Sequence, residues 1–65
     1  MTCSIVVRYK NGYAVIVPDL GLMEVPRVGQ TIKVTVGGQV VTVRVTRVRR
    51  HYLGADIYKI EGEEV

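Results

Sequence analysis

The sequence predicts an all-β protein, and three observations carry that prediction. Valine supplies fourteen of the 65 residues while Phe and Trp are absent; its branched side chain is stiff at χ1 and packs well on a pleated surface. Two pairs of apolar runs are each interrupted by a two-residue turn signal, Asn11-Gly12 and Gly37-Gly38. Apolar residues also recur at every second position, most regularly where Val41, Val43 and Val45 alternate with Thr42, Arg44 and Thr46.

The first hairpin joins CSIVVRYK to YAVIV. A type I′ turn at Asn11-Gly12 would set Lys10 opposite Tyr13, Arg8 opposite Val15 and Val7 opposite Ile16. That register sends Ile5, Val7, Tyr9, Ala14 and Ile16 to the core and leaves Val6, Arg8, Lys10, Tyr13, Val15 and Val17 on the other face. Pro18-Asp19 ends the second strand, since proline cannot donate to a ladder. In the connection over residues 18–30, Leu20, Leu22, Met23 and Val25 are too apolar for a free loop and are expected to cap the core.

The second hairpin, QTIKVTV and QVVTVRV around Gly37-Gly38, pairs Val36 with Gln39, Val34 with Val41 and Ile32 with Val43 on the inner face. Its outer face holds Thr31, Lys33 and Thr35 opposite Arg44, Thr42 and Val40. Val48 follows Val45 by three residues instead of two, the mark of a β-bulge at Thr46 or Arg47. A connection through Tyr52-Leu53-Gly54 leads to a last strand, ADIYKI, and the polar EGEEV segment is expected to fray. Residues 1–60 then form one domain and residues 61–65 an acidic tail. Hairpin, apolar connection and three-stranded meander together predict a small five-stranded SH3-like barrel, a two-stranded hairpin packed on a three-stranded antiparallel sheet; an OB-like barrel, the alternative, normally needs more chain.

A chain this short lies near the lower limit for burying a sufficient core. Cys3 and His51 are the only cysteine and histidine, so neither an internal disulfide nor a metal cage is expected, and no cofactor is implied. No run reaches membrane-span length and no signal-peptide pattern opens the chain, which predicts a cytoplasmic protein without a membrane partner. One asparagine among abundant Val, Ile, Arg and Glu is a thermophile-like profile. Catalysis needs a nucleophile, a base and an orienting group that converge. Ser4 and Cys3 have only the distant His51 as base, and Asp19, Glu24 and Asp56 are scattered, so neither an enzyme nor a small-molecule substrate is expected. Cys3 reads as a small apolar core residue, His51 as a polar corner residue, and Gly37-Gly38 as a turn, since no helix follows to hold a phosphate.

Charge is the informative property. The net charge is +3 with a pI near 9.4, and Glu61, Glu63 and Glu64 crowd into the last five residues, leaving nine cations against three acids in residues 1–60. If the bulge bends the strand as its rhythm implies, Arg47 and Arg49 continue the face that carries Thr31, Lys33, Thr35, Thr42 and Arg44, and Arg27 joins it from the preceding loop. Cations interleaved with hydroxyls suit phosphates and groove edges. The plainer reading is a set of positive charges that protects exposed strands from sheet-to-sheet aggregation.

The order of motifs, VVRYK at 6–10, MEVPRVGQTIKVTV at 23–36 and GGQVVTVRV at 37–45, resembles the small DNA-binding chromatin proteins of thermophilic archaea in the seven-kilodalton Sulfolobus class. The resemblance covers rather more than half the chain. It implies a sheet face set in the minor groove with an aliphatic wedge between base pairs: Val28 as the wedge, Thr31 and Lys33 beside it, Thr42 and Arg44 as groove contacts. Pro26 stands where that family has a tryptophan, and Thr31 where it has a wedging methionine. The leading expectation is a non-enzymatic protein that binds nucleic acid, duplex DNA foremost, with little sequence preference. Arg27, Lys33, Arg44, Arg47 and Arg49 would contact phosphate, and Thr31 and Thr42 would add hydrogen bonds. The rival is a protein-interaction or self-associating module, such as a viral or mobile-element accessory protein, using Val6, Tyr13, Val15 and Val17 as a partner or homodimer face.

Overall fold

The computed structural model describes residues 2–50 and 56–65. Five strands form in chain order: β1 (Thr2–Arg8), β2 (Ala14–Val17), β3 (Thr31–Val36), β4 (Gln39–Arg50) and β5 (Ile57–Glu64). They make one curled, half-barrel sheet in the order β2-β1-β5-β4-β3. No helix among the described residues is long and apolar enough to cross a membrane. The Tyr52-Leu53-Gly54 connection and the His51 corner lie outside the described residues.

The second hairpin matches its sequence pattern residue for residue. Gly37 and Gly38 both take positive φ, 56° and 82°, as a type I′ turn requires. Val36 pairs with Gln39, Val34 with Val41, Ile32 with Val43, Thr31 with Arg44, Lys33 with Thr42 and Thr35 with Val40. The β4–β5 register also slips where the valine rhythm skips, between Val45 and Arg47. Thr46 is the additional residue, and its Oγ1 donates to the Glu61 carbonyl at 3.1 Å.

The first hairpin differs from expectation by one residue. Tyr9 N–H donates to the Tyr13 carbonyl and Gly12 N–H to the Tyr9 carbonyl, with φ at 93° for Gly12 alone among the three loop residues 10–12. This is a three-residue loop closed by a glycine bulge, the second geometry that Asn-Gly supports. Arg8 therefore pairs with Ala14, Val7 with Val15, Val6 with Ile16 and Ile5 with Val17. A slip of one residue turns every β2 side chain to the opposite face. Val17 packs against the core, and Ile16, expected inside, is 69% exposed.

The acidic segment also departs from expectation. Residues 61–64 do not fray; they continue β5, which pairs in parallel with β1 from Thr2/Ile57 to Arg8/Glu63 and antiparallel with β4 from Arg50/Tyr58 to Val43/Glu64. Val65 N–H then donates to the Thr42 carbonyl at 3.0 Å. Hairpin and meander are thus joined edge to edge by the β1–β5 ladder, and the core sits in the hollow of one sheet. Gly62 is buried there, opposite Val7 on one side and Val45 on the other. A Cβ on Gly62 would overlap Val43 Cγ1 and crowd the Arg44 carbonyl oxygen at 3.1 Å.

Cys3, Ile5, Val7, Val34, Val43, Val45 and Ile60 form the buried core. Leu20, Leu22 and Val25 pack against it as a cap, tied to the sheet by the Leu20 N–H to Cys3 carbonyl bond. Met23, expected in that cap, is 97% exposed. Cys3 is a free, buried thiol, and burial raises its pKa above the ordinary thiol value because a thiolate there would lose solvation.

Candidate nucleic-acid interface

Alternation along the central strands fixes which side chains share the outer face. On β4, Val43, Val45 and Val48 turn inward, so Thr42 and Arg44 before the bulge and Arg47 and Arg49 after it all project outward. Without the bulge, Arg47 and Arg49 would fall into the hollow with Val43 and Val45. The extra residue at Thr46 is therefore what keeps the arginines on a common wall. On β3, Thr31, Lys33 and Thr35 share this face, opposite Arg44, Thr42 and Val40.

Arg27 and Val28 lie outside the strands, in the turn that delivers the chain to β3. Gln30 N–H donates to the Arg27 carbonyl and Gly29 has φ of 92°, the arrangement of a type II turn. Gln30 Oε1 accepts from Arg27 N–H at 3.1 Å, and Gly29 N–H donates to the Val45 carbonyl, so the turn is pinned beside the bulge. Val28 is 63% exposed at its tip.

The face extends onto β5 and β1, a continuation that sequence reasoning missed. Glu63 stands in register between Arg8 and Arg44, Glu61 between Val6 and Arg47, and Lys59 between Ser4 and Arg49. Arg47 Nε lies 3.8 Å from Glu61 Oε2. The outer face thus carries six cations, Arg8, Lys33, Arg44, Arg47, Arg49 and Lys59, around two carboxylates, Glu61 and Glu63. Separating the acids from the basic part of the chain, as the composition suggests, misplaces them: the β5 ladder sets them in the middle of it. Lys59 was legible from its alternation with Tyr58 and Ile60, whereas its neighbours on β1 were not.

A depression of about 350 Å³ opens on this face, with Val6 and Ile16 at one side and Arg47, Arg49, Lys59 and Glu61 at the other. The four residues expected to form a partner face do not share one. Val6 lies on the outer side, paired with Ile16; Val15 and Val17 turn to the inner side with Ile5 and Val7; Tyr13 stands 72% exposed at the hairpin end. Tyr9 and Tyr58 pack against the core. Among the described residues no three His, Cys, Asp or Glu side chains gather as metal ligands would.

Comparison of the chain with protein-family models, with curated proteins and with solved structures finds no match in any of the three.

Proposed function

We propose that this chain is a non-enzymatic, SH3-like β-domain that binds duplex DNA through its outer sheet face with little sequence preference, as its resemblance to the archaeal chromatin proteins implies. The single observation that carries this reading is the bulge-aligned cationic face. Arg44, Arg47, Arg49, Lys33 and Lys59 stand on neighbouring strands with Thr31 and Thr42 between them. Positive charges at strand spacing meet phosphates without reading bases, and hydroxyls supply further contacts to phosphate and sugar.

Two features favour a duplex over a single strand. Binding of unpaired bases relies on aromatic platforms; Tyr9 and Tyr58 are engaged with the core, Tyr13 stands at the hairpin end, and among the described residues no outward position of β3, β4 or β5 is aromatic. Val28, exposed in the turn beside the bulge, supplies an aliphatic wedge of the sort that opens base steps from the minor groove. Lys33, Arg44, Arg49 and Lys59 are assigned to phosphates, with Arg27 reaching from the turn and Arg47 sharing its charge with Glu61.

The test is a fluorescence-polarisation titration against duplex and single-stranded oligonucleotides at two ionic strengths. Each neutralised phosphate contributes about −0.9 to the slope of log affinity against log salt, so three to five contacts give a slope of roughly −3 to −4.5 on duplex. Alanine at both Lys33 and Arg49 should flatten that slope by about 2. Association that is absent, or indifferent to salt, removes the proposal.

A further inference from the structure

The sheet is open, so it has two edges, and the chain treats them differently. β3 places Lys33 among threonines along its edge, the usual protection against adding a further strand. β2, four residues long and ended by Pro18, lacks such a charge. Its sequence, Ala14-Val15-Ile16-Val17, carries no charge and no bulge, and Ile16 is 69% exposed.

The hydrogen-bond parity of β2 shows what that edge offers. The Tyr9 N–H to Tyr13 carbonyl bond makes Tyr13 a bonded position, and alternation then turns the main-chain groups of Val15 and Val17 toward β1 and those of Ala14 and Ile16 away from it. Among the described residues, no hydrogen bond reaches Ala14 or Ile16 from the outward side. The strand is also flanked by opposite charges, Lys10 in the turn before it and Asp19 just beyond Pro18, both exposed.

We propose that a second copy of this chain pairs antiparallel with the first along β2, about a two-fold axis through Val15. Ala14 then exchanges both main-chain hydrogen bonds with Ile16 of the second copy, and Ile16 with its Ala14, while the two Val15 side chains meet as a non-bonded pair. The same operation brings Lys10 of each copy to the Asp19 end of the other, so charge complementarity favours a second copy over an unrelated strand. The axis of such a pair is normal to the sheet. Both outer faces therefore look to the same side, and the cationic surface is doubled rather than opposed. A short interface of this type belongs to the weak, concentration-dependent class.

Sedimentation equilibrium on the protein without DNA tests this separately from nucleic-acid binding. Between about 10 µM and 1 mM, concentrations suited to a weak interface, the apparent mass should climb from monomer toward dimer. Ile16→Pro removes an outward N–H and leaves the β1 ladder intact, so it should weaken association at least tenfold with an unchanged circular-dichroism spectrum. If that variant does not fold, Ile16→Lys places a charge on the same edge and should have the same effect. Asp19→Asn keeps the Oδ1 that accepts from Gly21 N–H and should weaken the dimer a few-fold at low salt. A wild-type protein that stays monomeric throughout, or a folded position-16 variant that associates like wild type, overturns the proposal; an unaltered Asp19→Asn dimer overturns its register.

Discussion

Arg47 and Glu61 face each other across the strand pair that carries the bulge, Nε to Oε2 at 3.8 Å, while the Glu61 carbonyl accepts from Thr46 Oγ1 at 3.1 Å. One residue of β5 thus holds both the extra residue of β4 and the first arginine beyond it. Arg47 is 57% and Glu61 35% exposed in their side chains, so solvent screens the pair and its effect on stability is small, at most about 1 kcal/mol. Its consequence is positional: it draws one guanidinium of the cationic face onto a carboxylate.

Replacing Glu61 by Gln should therefore leave stability within about 1 kcal/mol of wild type and strengthen binding to duplex DNA. Releasing Arg47 to a phosphate would steepen the salt slope by about 0.9. Parallel urea melts and polarisation titrations check both halves. Weaker binding by this variant would place the interface elsewhere.

Gly62 should tolerate no side chain. The methyl of Gly62→Ala would overlap Val43 Cγ1 in a core closed by backbone on both flanks, and overpacking of this kind costs about 1–3 kcal/mol. Chemical denaturation should show a lowered midpoint with the m-value retained. An unshifted midpoint would mean that Val43 can move aside freely.

Removal of residues 61–65 should abolish the fold rather than trim it. The deletion takes the second half of β5 out of two ladders at once and exposes Val7, Val43 and Val45. Far-ultraviolet circular dichroism and amide proton dispersion distinguish the outcomes, and a well-folded 60-residue fragment would contradict the pairing described for β5.

Cys3 should make the protein sensitive to alkali. Burial raises its pKa in the folded state above the unfolded value. Its contribution is complete below the unfolded thiol pKa and is lost as pH rises through the higher folded value, because over that interval only the unfolded chain readily releases the proton. Denaturation midpoints should fall over this alkaline interval, and less so for Cys3→Ala measured against its own neutral-pH stability. At neutral pH, modification by a thiol reagent should be slow until denaturant is added.

How much of this was legible beforehand depends on how local each interaction is. Two adjacent glycines in a type I′ turn leave one register for the second hairpin, so every β3–β4 pair follows from residues 31–44 alone. The skipped beat between Val45 and Val48 likewise locates the bulge. Asn11-Gly12 is less decisive, because the dipeptide serves both a two-residue and a three-residue loop, and the choice between them exchanges the faces of β2.

By itself, then, the sequence determined an all-β chain, one complete hairpin, the kink in β4 and the outward set Thr31, Lys33, Thr42, Arg44, Arg47 and Arg49. Only the tertiary structure decided that β1 runs parallel beside β5, that Glu61 and Glu63 enter the cationic face, and that Gly62 lies in the core. Alternation and turn chemistry act between near neighbours and leave a trace in the order of residues. The β1–β5 ladder joins the two ends of the chain through main-chain groups that every residue carries, so no side-chain pattern announces it.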